Sequence, residues 1–228
     1  MEKKVLITGA TGNLGTSVVD QFKNDGYRVA VTVTPGKKSS VGFTDVLVLE
    51  ADLTNETQSA EAVQEVIQEF KSIDAALLLV GGFAAGKIED TDGALLKKMF
   101  ALNFETAYNI ARPVFLQMKK QQRGRIVLVG ARPVLQAKDG KNLMAYALSK
   151  SLLFKLAEFL NEDGAASDVV TSVLVPSTID TPTNRSAMPK ANFSDWVSPD
   201  EIANALAFLC SDQGHALRQP VLKMYGKS

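Results

Sequence analysis

"KVLITGATGNLG", residues 4–15, decides the architecture of this chain. A run of β-formers, "KVLIT" (4–8), passes directly into "TGATGNLG" (8–15), and "LGTSVVDQFKND" (14–25) then carries apolar residues at helical spacing. Gly9, Gly12 and Gly15 have separable uses in such a turn: a tight bend, close approach of backbone to a pyrophosphate, and close packing of helix on strand. Thr11, Asn13 and Leu14 fill the positions between them, where N–H groups at a helix N-terminus and the helix dipole favour an anion. Glycines alone also mark ordinary turns. The strand before and the helix after are what make a dinucleotide the expected ligand.

Outward from this turn, short β-branched runs alternate with longer helical patterns. "RVAVTV" (28–33), "VLVLE" (46–50), "AALLLV" (75–80), "RIVLVG" (125–130) and "VVTSVLV" (169–175) read as strands, and "PVLKMY" (220–225) as a last one. "TQSAEAVQEVIQEF" (57–70), "GALLKKMFALNFETAYNIARPVFLQMKK" (93–120) and "NLMAYALSKSLLFKLAEFLNED" (142–163) read as helices. "SPDE" (198–201) opens another, with Ser198 as N-cap and Pro199 at the first position. Continuous apolar strands imply burial on both faces, the habit of parallel sheets. The expected fold is α/β: one Rossmann-like domain over 1–228, a doubly wound parallel sheet of about seven strands with helices on both faces.

Composition narrows the function. Lys+Arg and Asp+Glu balance at 25 each, so no net field recruits nucleic acid or an anionic membrane. The single Cys210 lies in "ALAFLC" and reads as core packing in a reducing compartment. No His/Cys cluster has metal-ligand spacing, so no metal is expected. "AALLLVGGFAAG" (75–86) falls short of the roughly 18 apolar residues of a membrane span, and "MEKKVLITG" lacks a signal-peptide pattern. A cytoplasmic location is expected.

The end of the second strand selects the dinucleotide. An acid there would bind the adenosine ribose and repel a 2′-phosphate. Here Val33 and Thr34 stand in its place, and Lys37, Lys38, Ser39 and Ser40 follow. NADP is therefore expected over NAD, which stays possible, although the two lysines could equally be a solvated loop. Asp52, followed by Leu53 after the third strand, is placed either for the adenine amino group or as a plain turn residue. In "MAYALSK" (144–150), Tyr146 and Lys150 share one helix face. A phenol can give a proton to a group that accepts hydride, and an ammonium close by would stabilise the phenolate.

The order of these motifs resembles the short-chain dehydrogenase/reductase family over nearly the whole chain: TGxxGxxG at 8–15, Asp52, Gly81 and Gly82, Asn103, and YxxxK at 146–150. The resemblance implies Tyr146 as acid, Lys150 tuning it and holding the nicotinamide ribose, and Asn103 anchoring a proton relay. "PSTIDT" (176–181) is similar to the family's nicotinamide-touching segment, which implies cofactor roles for Pro176, Ser177, Thr178, Ile179 and Thr181. The family's serine after strand five is missing. Gly130 and Ala131 occupy its place, and Ser149 and Ser151 are expected to project away from the tyrosine's face.

"LVGARPVL" (128–135), "VGGFAAGK" (80–87) and "STIDTPTNRSAMPKANFSDW" (177–196) resemble the dihydropteridine reductase branch, which also has Gly-Ala there. The implied activity is NAD(P)H-dependent reduction of a quinonoid dihydropterin, with Phe83, Ala131 and Met188 on the substrate side. The chain departs from that branch in lacking the acid after strand two and in having Asn103. Reduction of another carbonyl or quinone, or a dinucleotide-binding sensor without turnover, are the alternatives. "DTPTNRSAMP" (180–189) is either a lid or a surface loop. Trp196 reads as a packing anchor, His215 as exposed and inert. Phe100, Phe104, Phe154 and Phe159 exceed what one sheet face needs, which suits a homodimer or homotetramer.

Overall fold

The computed structural model describes residues 2–38 and 42–227. Ser39 and Ser40 lie outside the described residues. Seven strands, β1 (Lys4–Thr8), β2 (Arg28–Val33), β3 (Val46–Glu50), β4 (Ala75–Leu78), β5 (Gly124–Val129), β6 (Val169–Pro176) and β7 (Val221–Met224), form one sheet in the order β3-β2-β1-β4-β5-β6-β7. Every pairing is parallel. The direction of winding reverses between β1 and β4, and in open α/β sheets ligands bind beyond the carboxyl ends of the strands at such a switch point.

The helices are α1 (Gly15–Asn24), α2 (Glu56–Phe70), α3 (Gly93–Phe100), α4 (Thr106–Gln121), the short α5 (Arg132–Leu135) and α6 (Ala137–Gly140), α7 (Met144–Gly164), α8 (Pro182–Ala187) and α9 (Pro199–Cys210). Successive strand residues point to opposite faces, so β1 feeds two cores. Leu6 packs with Val63, Val66 and Phe70 of α2, Ile110 and Val114 of α4, and Leu153 of α7. Val5 and Ile7 pack with Val18, Val19 and Phe22 of α1 and Ile202 and Leu206 of α9. Cys210 is buried in this second core, and burial pushes its thiol up to about 12, so it stays a neutral apolar filler. Ser198 caps α9 in a complete capping box with Glu201, and Pro199 follows it.

Besides small shifts at element ends and the short α8 within the stretch read as lid or loop, two expected elements are changed by partners elsewhere in the chain. The strand expected over 75–80 ends at Leu78, because the Leu79 N–H turns to the Thr8 hydroxyl at 3.0 Å. The helix expected to run unbroken over 93–120 is interrupted by a π-helical turn, Ala101–Glu105, between α3 and α4. That wide turn carries Asn103, and its buried carboxamide finds partners on two other elements, described below. Phe104 and Phe154 pack against the first core, whereas Phe159 is exposed. Trp196 packs on Phe193 at 4.9 Å between ring centroids, and His215 is exposed.

Candidate active site

The glycine turn closes on itself through Gly12 N–H donating to the Gly9 carbonyl at 3.0 Å. Gly9 has φ +71°, a backbone that L side chains rarely adopt, and a Cβ there would meet the Val80 amide nitrogen at 3.2 Å. A Cβ on Gly15 would overlap the Gly9 carbonyl oxygen and stand 2.7 Å from Ala10 Cα. Leu14 is the α1 N-cap and supplies no side-chain hydrogen bond, and the first turn of α1 holds no acidic residue. This ten-residue helix thus presents an uncapped positive end, flanked by exposed Thr11, Gly12 and Asn13, which suits a pyrophosphate. The side chain of Asn13 donates to Thr183 Oγ1 at 3.1 Å and ties the turn to α8.

At the end of β2, Thr34, Pro35, Gly36 and Lys37 form a turn closed by Lys37 N–H to the Thr34 carbonyl at 3.1 Å, with Gly36 at φ +79°. Thr34, Lys37 and Lys38 are exposed. Glu50, paired in register with Val33, accepts the Lys38 N–H at 2.8 Å. Sequence order hid this carboxylate, since it comes from the third strand rather than the second. Asp52 Oδ1 accepts both the N–H (3.0 Å) and the hydroxyl (2.7 Å) of Thr54, which holds its carboxyl below the usual range. It stands in a turn beside buried Leu53, ahead of Asn55, the true cap of α2.

Lys150 is 5% exposed and donates to the Val129 carbonyl at 2.8 Å, which fastens α7 to the carboxyl end of β5. Burial brings its ammonium down to about 8. Tyr146 lies one helical turn earlier, and burial pushes its phenol up to about 12 rather than lowering it. Gly81 explains how the β4 loop meets this pair: a Cβ there would come 2.8 Å from Asn103 Oδ1 and 3.0 Å from Lys150 Nζ. The Asn103 carboxamide accepts the Gly82 N–H at 2.8 Å and donates to Ser149 Oγ at 3.0 Å. Both ends of that side chain are used in holding the site together.

Phe83 packs edge-on against Tyr146, with ring centroids 5.1 Å apart, and is 66% exposed. Ala131 is buried, and Met188 is exposed at the end of α8. A serine at Gly130 would force its neighbours to shift, because a Cβ would stand 2.9 Å from the Phe154 ring and from Val173 Cγ1. Past β6, Ser177 N–H donates to the Met224 carbonyl at 2.8 Å and its hydroxyl to the Tyr225 carbonyl at 2.9 Å. Val197 N–H donates to the Thr178 carbonyl, Ile179 bridges to Val197, and buried Thr181 caps α8. Pro176 through Thr181 thus leave the sheet on the same carboxyl edge as Gly9, Gly81 and Ala131.

Sequence reasoning missed Ser149 as a member of the site. The sequence reading set its hydroxyl aside from the tyrosine's face and did not foresee that Asn103, from another element, donates to it. It also missed Arg132, which lies over the Tyr225 ring at 5.0 Å with a buried, unpaired Nε among the described residues. The described residues contain no group of acids, histidines and cysteines able to hold a metal, and no helix long and apolar enough to cross a membrane.

A parallel sheet with this switch point, an uncapped glycine-rich helix end, and a half-buried tyrosine one helical turn before a buried lysine fit a nucleotide-dependent oxidoreductase. The short chain dehydrogenase family model matches residues 3–192, and the chain belongs to that family, whose members bind NAD(P). It is 26% identical over 242 residues to an acetoacetyl-CoA reductase of Acinetobacter sp. (strain RA3849), covering 99% of this chain and 97% of the relative. It is 28% identical over 213 residues to a dihydropteridine reductase of Dictyostelium discoideum, covering 90% and 87%. A short chain dehydrogenase/reductase family oxidoreductase from Burkholderia thailandensis has the same fold with TM-score 0.87 at 25% identity, covering 99% and 92%.

Proposed function

We propose that this chain is an NADPH-dependent reductase of a planar, electron-poor ring, of the quinonoid dihydropterin kind. The observation that carries this reading is the exposed Phe83 ring set edge-on to Tyr146. It gives the acid an aromatic wall suited to a flat ring, while Gly130 and buried Ala131 bring no hydroxyl for orienting a carbonyl. The likeness to a dihydropteridine reductase agrees with it. When bound, the reduced nicotinamide supplies the hydride. Tyr146 then delivers one proton from its hydroxyl to the reduced substrate, so hydride and proton together make up the two-electron reduction. With its phenol up at about 12, Tyr146 holds that proton at neutral pH, and Lys150 at about 8 is largely cationic there, ready to stabilise the phenolate and to hold the ribose.

The exposed lysines at 37 and 38, with no acid at Thr34, support NADP over NAD. Exposed Tyr108 and Leu116 on α4 and Leu148 and Phe159 on α7 support a homodimer or homotetramer. Reduction of a β-ketoacyl or other carbonyl is the second reading, favoured by near-complete coverage of the acetoacetyl-CoA reductase. The test is a panel of chemically generated quinonoid dihydropterin, quinones, aldehydes and acetoacetyl-CoA, with NADPH or NADH followed at their absorbance. The expected result is turnover of the dihydropterin at least tenfold above acetoacetyl-CoA. Tight NADPH binding with no turnover on any member would make the chain a dinucleotide sensor instead.

A further inference from the structure

We infer that Ser149 is a positioning residue, whose hydroxyl locks the π-helical turn and the β4 loop onto the helical turn that carries Tyr146 and Lys150. Ser149 and Asn103 are both fully buried. Ser149 Oγ donates to the Tyr146 carbonyl at 2.9 Å and accepts from Asn103 Nδ2 at 3.0 Å. Asn103 Oδ1 in turn accepts the Gly82 N–H at 2.8 Å. The chain of bonds therefore runs from Gly82 through Asn103 and Ser149 to Tyr146, across three elements far apart in sequence.

A serine in mid-helix that bonds back to the preceding turn is locally unremarkable. Here the same oxygen has a second, non-local partner. Without Ser149 the carboxamide amino group would be a buried donor left with the Met99 sulfur at 3.8 Å as its acceptor. The carboxamide would then be free to rotate, and Gly82 would lose its fixed acceptor. Gly81 sits against both Asn103 and Lys150, so loosening Gly82 loosens the wall of the lysine. Tyr146 itself would keep its backbone but lose the strut that fixes its turn. Chemistry at this site depends on placement to within a fraction of an ångström.

This inference rests on Tyr146 and Lys150 being the acid–cation pair, and its test has an arm independent of substrate. In the full-length protein without nucleotide, the amide exchange of Gly82 is compared for wild type, Ser149→Ala, Asn103→Ala and the double variant. Ser149→Ala, although it alters another element, is expected to speed Gly82 exchange about tenfold, and the double variant to exchange no faster than Asn103→Ala. In steady-state assays with NADPH and quinonoid dihydropterin, Ser149→Ala is expected to lower kcat about tenfold, with KM and NADPH Kd within threefold. Gly82 exchange within twofold of wild type, or effects of the two single variants that multiply, would overturn the inference. So would an unchanged kcat in a variant whose Gly82 exchange has accelerated. If wild type reduces nothing in the substrate panel, the proposed function fails, and the exchange measurement alone still decides whether Ser149 holds the strut.

Discussion

Lys150 shows how one buried cation couples function to stability. Its ammonium titrates at about 8 in the folded chain against 10.5 as a free side chain, because burial penalises the charged form. Below pH 8 both folded and unfolded states carry the proton, and the full burial cost is present. Between 8 and 10.5 the unfolded state binds more protons, so this residue's contribution to stability rises with pH, by on the order of 3 kcal/mol across the window. Lys150→Met is therefore expected to remove that rise. The check is urea unfolding of both proteins at pH 7.5, 9 and 10, reading the difference so that Cys210 and the tyrosines cancel; a difference independent of pH would mean that Lys150 is not buried as described. Tyr146 and Lys150 were legible in the sequence because a four-residue spacing places two side chains on one helix face. Ser149 was not, because its role depends on Asn103, 46 residues away, turning inward.

At the scale of elements, the glycine turn was fully legible and the π-helical turn was not. Gly9 and Gly15 answer to the turn's own backbone, and their place between a strand and a helix made them readable. Gly15→Ala would force its methyl into Ala10 and the Gly9 carbonyl, and is expected to abolish NADPH binding by fluorescence titration. The π-helical turn inserts one residue into an apolar pattern that reads equally well as a plain helix, and only the partners of Asn103 on other elements reveal it. The same limit applies to the Lys37 and Lys38 loop. Their charge was evident, but Glu50 arrives from a neighbouring strand. Lys37→Ala with Lys38→Ala is expected to weaken NADPH by roughly tenfold, about 1.4 kcal/mol, while leaving NADH within twofold. Equal losses for both cofactors in calorimetric titration would show that the loop does not read the 2′-phosphate. On β6, Thr171 has a buried hydroxyl without a partner among the described residues. Thr171→Val keeps the β-branched shape and removes the unpaired group, for an expected gain of about 1 kcal/mol, or roughly 2–4 °C in Tm by calorimetry.

For the whole molecule, hydrophobic pattern and turn chemistry were enough to set out all seven strands, since a parallel sheet buried on both faces leaves unbroken apolar runs. Strand ends were less legible, as with β4, because a side chain on a neighbouring strand ended it. The sheet brings all seven strand ends to one edge, and on that edge stand the glycine turn, the β4 glycines, the tyrosine–lysine pair and the segment from Pro176 to Thr181. The sheet thus gathers at one edge the turn proposed to hold the nucleotide and the pair proposed to supply the proton. Tyr146 is proposed to supply the proton of a hydride-transfer reaction. This role is tested most directly by rapid mixing of NADPH-loaded wild type and Tyr146→Phe with quinonoid dihydropterin, following loss of the reduced nicotinamide absorbance. The rate is expected to be at least about 100-fold lower in the variant, with NADPH affinity within a few-fold. A variant as fast as wild type would contradict it, and the proton would then have to come from water.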